Sequence, residues 1–209
     1  VNDDCMAEFE ALIRPGITEK EMAEAIRGIY AAHGCSGVSF PPICGFGAHA
    51  ADPHHDNDDT PLEAGQCVLI DVGGVYQDYC SDMTRTFFTG EPNEEERKVY
   101  ELVRQAQAAA EALVKPGVRL CDIDAAARNL ITEAGYGPYF NHRLGHFIGL
   151  EDHEAGDVSA VNERVVTPGM CFSIEPGIYL PGKFGVRIED LVLVTEDGYE
   201  VLNHYPHEL

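Results

Sequence analysis

Four acids and four histidines stand where their types and spacing could do chemistry. Asp71 and Asp82 lie eleven residues apart in DVGGVYQDYCSD, around a Gly-Gly pair, with no base close enough in sequence to neutralise either. Glu175 ends a second apolar run, CFSIE, and Glu189 sits in a third, VRIEDLVLV. The imidazoles fall in two tracts: DPHHDNDD (52–59) holds His54, and NHRLGHFIGLEDHE (141–154) holds His142, His146 and His153, spaced by four and then seven. Carboxylates gathered at close quarters cannot all stay ionised unless positive charge lies among them. Arginine could supply it, and Arg85 and Arg187 are near in sequence. Oxygen ligands with an imidazole are also the donor set of a divalent-metal centre. Taken singly, each residue has a plainer reading: a strand acid on an exposed face, a loop histidine, or, for Asp56, Asp58 and Asp59, a solvated acidic loop. The joint pattern favours a site.

The elements that must position these residues recur in two halves. IRPGITEKEMAEAI (13–26) resembles VKPGVRLCDIDAAA (114–127), an offset of 101 from residue 13 to 114. AGQCVLID (64–71) resembles PGMCFSIE (168–175), an offset of 104 from 64 to 168, which pairs Asp71 with Glu175. Asp82 then matches Glu189. Two matches in the same order predict an internal duplication, about 1–110 and 111–209. Helical periodicity covers 18–33, where Thr18 and Glu21 form a capping box, and returns at 93–114 and 122–134. Strands are expected at 67–72, 79–88, 170–175 and 186–194.

Composition narrows the partners. The chain has 209 residues and a net charge of −22, which argues against nucleic acid, since phosphate contacts need clustered Lys and Arg. No apolar run reaches the ~18 residues of a membrane span. Seven cysteines, odd in number and without a CxxC pair, fit small buried hydrophobes in a reducing cytoplasm better than a zinc or disulfide framework. The chain begins with Val inside a helical pattern and reads as part of something longer.

Four segments together resemble the catalytic domain of the pita-bread metallopeptidases, on the Xaa-Pro dipeptidase (prolidase) and Xaa-Pro aminopeptidase branch: PHHD, DVGGVYQDYCSDMTRT, HRLGHFIGLEDHE and SIEPGIYLPGKFGVRIEDLVLVT. The resemblance implies an α+β fold, a curved and mostly antiparallel sheet backed by helices with a pseudo-two-fold axis, in one catalytic domain over 1–209. An amino-terminal domain common in this branch is expected to lie outside this chain. By position, Asp71, Asp82, His146, Glu175 and Glu189 are implied ligands of two divalent ions, with Asp82 and Glu189 bridging. Mn²⁺ is the first choice; Co²⁺, Zn²⁺ and Fe²⁺ are alternatives. His54 and His153 match substrate-contacting, proton-handling histidines, and His142 and Arg187 match supporting positions. Phe147 stands where many relatives carry Gly, and is expected to reshape the substrate pocket.

The implied activity is removal of an amino-terminal residue that precedes proline, with Glu175 moving the proton of the attacking water. A methionine-type aminopeptidase fits less well, because the tyrosine and SDMTRT after Asp71 favour the proline-directed branch. A creatinase-type enzyme or a non-catalytic binding module of the family would lack ligand positions that this sequence retains. The partners implied are peptides with proline second, without nucleic acid or membrane, and a homodimer is left open.

Overall fold

The computed structural model describes all residues, 1–209. The first half runs α1 (Asn2–Ala11), α2 (Glu19–Ala32), β1 (Gly37–Val38), β2 (Ile43–Phe46), a 3₁₀ turn (Gly47–Ala51), β3 (Cys67–Val72), β4 (Gly74–Tyr76), β5 (Tyr79–Cys80) and β6 (Met83–Phe88). The second runs α3 (Glu94–Glu111), α4 (Leu120–Glu133), a 3₁₀ turn (Gly137–Tyr139), β7 (Gly145–Phe147), β8 (Glu154–Val158), β9 (Cys171–Ile174), β10 (Gly177–Leu180), β11 (Phe184–Arg187), β12 (Asp190–Val194) and β13 (Tyr199–Val201). No helix is long and apolar enough to cross a membrane.

Local chemistry sets the helix starts. Thr18 and Asn93 each accept from the amide three residues on, Glu21 at 3.2 Å and Glu96 at 3.0 Å, and each glutamate reaches back to the cap amide. Two orphan donors are satisfied at each end. The turns before α2 and α4 are tied down alike: Gly16 N donates to Leu62 O at 2.8 Å, and Gly117 N to Val166 O at 3.0 Å.

Every strand pair is antiparallel. The larger ladders are β2-β3-β6 and β13-β12-β9-β7-β8, with the hairpin β10-β11 and the small sheet β1-β4-β5 beside them. Helices α1 and α2 cover β2-β3-β6 with a core of Met6, Phe9, Met22, Ile26, Val68 and Ile70; helices α3 and α4 cover the five-stranded sheet with Val99, Val103, Ile123, Ile131, Phe172 and Val192. All six residues of β3 are buried, which fits a strand covered on both faces.

Two expected strands are broken, both at a candidate acid. The run 79–88 divides into β5 and β6 around Ser81–Asp82, because β5 pairs with β4 whereas β6 pairs with β3. The run 186–194 divides around Ile188–Glu189, because β11 pairs with β10 whereas β12 pairs with β9. The two breaks meet at an isolated Thr84–Glu189 bridge, with Glu189 N donating to Thr84 O at 3.1 Å. Close backbone approach beside the site acids requires glycine within each half. A Cβ on Gly73 would lie 1.9 Å from Ser81 O, and one on Gly145 would lie 1.9 Å from Ser173 O.

Candidate metal centre

The broken strands deliver their acids to one cavity of about 660 Å³, whose lining includes Asp71, Asp82, Glu175 and Glu189, together with His54, His142, His146 and His153 and with Arg143 and Arg187. Asp71 comes from β3, opposite Thr84 of β6. Glu175 follows β9, and His146 is the central residue of β7. Its amide donates to Ser173 Oγ at 3.0 Å, and Ser173 Oγ donates to Glu175 Oε1 at 3.1 Å, so one serine sets two site residues.

Hydrogen bonding fixes the state of His146. Its Nδ1 faces the Phe147 carbonyl at 3.2 Å and donates there, which leaves Nε2 as a bare lone pair. That nitrogen points at Asp82 Oδ2 (3.3 Å) and Glu175 Oε1 (3.6 Å). Burial, then the neighbouring His153, holds the imidazole down to about 4, so it is neutral near pH 7. A neutral imidazole anchored through its other nitrogen is the form that binds metal.

The acids show the complementary deficiency. Asp71 Oδ1, Asp82 Oδ1 and Glu189 Oε1 are buried without a hydrogen-bond donor. The second oxygens of Asp71 and Glu189 are served: Arg187 Nη2 donates to Asp71 Oδ2 at 2.5 Å and Thr84 Oγ to Glu189 Oε2 at 2.6 Å. Burial and mutual repulsion push the Asp82 and Glu189 carboxyls well above their ordinary range. Burial brings Glu175 up to about 7, with Arg187 opposing the rise. Asp82, His146 and Glu189 each offer a ligand atom within 4.8 Å of the others. Hard oxygens without donors beside an unprotonated imidazole fit a divalent cation.

Asp71 does have a base. Arg187 reaches it from 116 residues away, a pairing that the absence of a nearby base in sequence does not anticipate. Arg85 takes no part in the cavity. It is buried behind Glu189, donating to Glu189 O at 2.7 Å, to Asp190 Oδ1 at 2.8 Å and to the Tyr205 and Pro206 carbonyls. Arg187 pairs directly with Asp71 alone, and neither Asp82 nor Glu189 has an ion pair with an arginine.

Arg187 also starts a directional chain. Its Nη1 donates to Tyr179 Oη at 2.8 Å, the hydroxyl donates to His142 Nε2 at 2.8 Å, and His142 Nδ1 donates to Arg143 O at 2.6 Å. Burial holds His142 down to about 3, in keeping with this neutral tautomer. His153 stands at the mouth, its ring 4.0 Å from that of His146, with Arg143 Nη2 at 3.3 Å from its Nδ1. His54 is exposed and lines the same cavity. Phe147 does not enter the cavity: it is buried against Phe172, with ring centroids 5.7 Å apart. Thr84, Tyr179 and Ser173 escape sequence reading because each has a contact to a residue distant in the chain, Glu189, His142 and His146 respectively; Asp152, which also lines the cavity, stands beside His153 with no local sign of burial in the sequence.

Such a cluster, open to a cavity on an α+β scaffold of antiparallel ladders, has the donor set of a divalent-metal site. The chain belongs to metallopeptidase family M24, whose model matches residues 1–196, and its fold is the pita-bread fold of that family. It is 48% identical over 203 residues to an uncharacterized peptidase of Staphylococcus aureus, covering 97% of this chain and 58% of that protein. Among solved structures it is similar to the dipeptidase PepE of Mycobacterium ulcerans (46% identity, TM-score 0.96, 99% of this chain and 56% of the other). It is likewise similar to the prolidase of Pyrococcus furiosus (41%, 0.96, 98% and 61%) and the X-Pro aminopeptidase of Thermotoga maritima (40%, 0.95, 98% and 58%). The chain thus spans under two thirds of these relatives' length. Its family acts on peptides with divalent metal ions.

Proposed function

We propose that this chain is the catalytic portion of an exopeptidase that cleaves the bond between an amino-terminal residue and a following proline. The observation that carries the proposal is the convergence of four donorless buried carboxylate oxygens, of Asp71, Asp82, Asp152 and Glu189, and the bare Nε2 of His146 on one open cavity. Asp71, Asp82, His146, Glu175 and Glu189 would hold two divalent ions. Four carboxylates to one imidazole favour Mn²⁺, with Co²⁺, Zn²⁺ and Fe²⁺ as alternatives. The prolidase and X-Pro aminopeptidase likenesses support proline as the second residue. Seven free cysteines support a reducing, cytoplasmic setting.

Ions bound there supply Lewis acidity and lower the pKa of water towards neutrality. The chain's own groups do the rest. Glu175 takes the proton from the water as its oxygen attacks the scissile carbonyl, then returns it to the proline nitrogen as the C–N bond breaks. His153 steadies charge developing on the carbonyl oxygen, and His54 contacts the proline side. The Arg187–Tyr179–His142 chain holds Asp71 and His142 in place. Proline nitrogen carries no N–H, so a pocket that selects its ring reaches bonds that donor-dependent peptidases handle poorly.

The deciding experiment compares Xaa-Pro dipeptides, Xaa-Pro-Yaa tripeptides and Met-led peptides, with ions present and after chelation. Ion-dependent hydrolysis confined to Xaa-Pro substrates is expected, abolished by Glu175→Gln and by Asp82→Asn. Full activity after chelation or in either variant would sink the proposal.

A further inference from the structure

The wall that carries His54 is held from behind by a second cluster of ionisable groups. Glu19, the first residue of α2, is fully buried. Its Oε1 accepts from the Phe46 amide at 3.1 Å and His49 Nδ1 at 2.9 Å; its Oε2 accepts from the Asp58 amide at 3.1 Å and His55 Nε2 at 2.6 Å. All four donors belong to one stretch, 46–58, which is thereby tied at both ends and twice between to a single carboxylate. The His49 and His55 rings lie against each other, 4.3 Å between centroids. Asn57 pins the same stretch to the strand beside it, accepting from Cys44 N at 2.8 Å and donating to Pro42 O at 2.7 Å. Exposure then alternates along the wall: His55 and Asn57 are partly buried at the anchors and His54 and Asp56 are exposed, and all four line the cavity.

Glu19, His49 and His55 also bring a ligand atom each within 4.8 Å, a donor set that zinc accepts. The comparison with the metal centre decides against an ion here. Asp71, Asp82 and Glu189 each keep a buried oxygen without a donor, whereas both Glu19 oxygens carry two. Two of those donors are backbone N–H groups, which already occupy lone pairs that an ion would need.

We propose that Glu19 is a positioning residue: with His49 and His55 it forms a latch that holds 46–58, and through it His54, at the substrate site. The role given to His54 rests on the proposed function; the latch itself has a readout that does not. Charge-assisted bonds from four donors to one buried carboxylate over-determine the loop's path. Removing the charge weakens all four together, and a misplacement of about 1 Å at a reacting group can cost on the order of 10²-fold in rate.

The test is Glu19→Gln in the ion-loaded protein. Hydrogen exchange of amides 46–58 should rise about tenfold or more, with β3 amides unchanged. Ion content per chain should match wild type. On an Xaa-Pro dipeptide, kcat/KM should fall by about 10- to 100-fold. In a His54→Ala background the same change should cost under about threefold, a non-additivity that general loosening of the fold does not produce. His49→Ala, on the less buried side of the cluster, decides the matter should Glu19→Gln fail to fold. Unchanged exchange over 46–58, full additivity with His54→Ala, or an additional ion per chain lost with Glu19→Gln would each overturn the latch. Absence of Xaa-Pro hydrolysis by the wild type is a separate failure: it removes the proposed function, and the exchange experiment then decides the latch alone.

Discussion

Asp82→Asn should stabilise the ion-free protein while abolishing its response to ions. Asp82 is 3% exposed, with one oxygen lacking any donor and the other 3.3 Å from a nitrogen that carries no proton. Without an ion its charge is opposed by burial and by Glu189 and Asp71; with one, the same charge becomes a ligand. Asparagine keeps the shape and removes the charge. A buried group without its partner costs about 1–3 kcal/mol, and a chain of this size shifts about 2–4 °C per kcal/mol. Ion-free Asp82→Asn should therefore melt about 2–12 °C above ion-free wild type. Conversely, an ion at a hundred times its Kd adds about 2.7 kcal/mol per site to the wild type, or about 5–11 °C, and little to the variant. The pH dependence has a defined sign. An acid whose folded-state pKa is raised destabilises the fold once pH exceeds its ordinary value, 3.8 for Asp82, and the effect grows until the folded-state pKa is passed. The ion-free variant's advantage should thus widen as pH rises from about 4 through neutrality. Calorimetry in chelator and in Mn²⁺ measures all of this. A wild-type ion response in the variant, or an ion-free variant that melts below wild type, refutes the reasoning.

Tyr179→Phe removes the hydroxyl between Arg187 and His142 and strands one group on each side; it should cost about 1–3 kcal/mol in urea unfolding and raise KM for peptide, with ion content unchanged. Gly145→Ala puts a Cβ where Ser173 O lies 1.9 Å away; forcing β7 off β9 should cost about 3 kcal/mol and displace His146, seen as lost ion binding by titration. Arg85→Met leaves buried Asp190 without the guanidinium that pairs with it at 2.8 Å. It should cost about 3–5 kcal/mol and release the tail from Tyr205 onward, detected as faster proteolysis there than elsewhere.

What the sequence made legible was local or repeated. The capping box at Thr18 is decided by residues three apart, and β3 is an unbroken apolar run, so both were expected where they occur. The strand breaks at Asp82 and Glu189 were not, because the residue pattern runs straight through them. Only the pairing of each flanking segment with a different sheet divides the run, and pairing depends on residues far away. The Arg187–Asp71 contact and the Tyr179 hydroxyl were hidden for the same reason. The two breaks explain why strand-like acids can be site residues at all. A carboxylate in the middle of a ladder faces one side of one sheet, whereas one at a break is carried into the seam where another sheet ends. Thr84 and Glu189 join the halves at that seam. The matched segments 13–26 with 114–127 and 64–71 with 168–175 favour our reading of the chain as two related halves, about 1–110 and 111–209. Their offsets widen from 101 (13 to 114) to 104 (64 to 168) and, for Asp82 with Glu189, to 107. Constant spacing along the chain therefore does not hold the acids in correspondence. Pairing across the seam does, and a change that shifts the Thr84–Glu189 register should uncouple the acids without touching any of them.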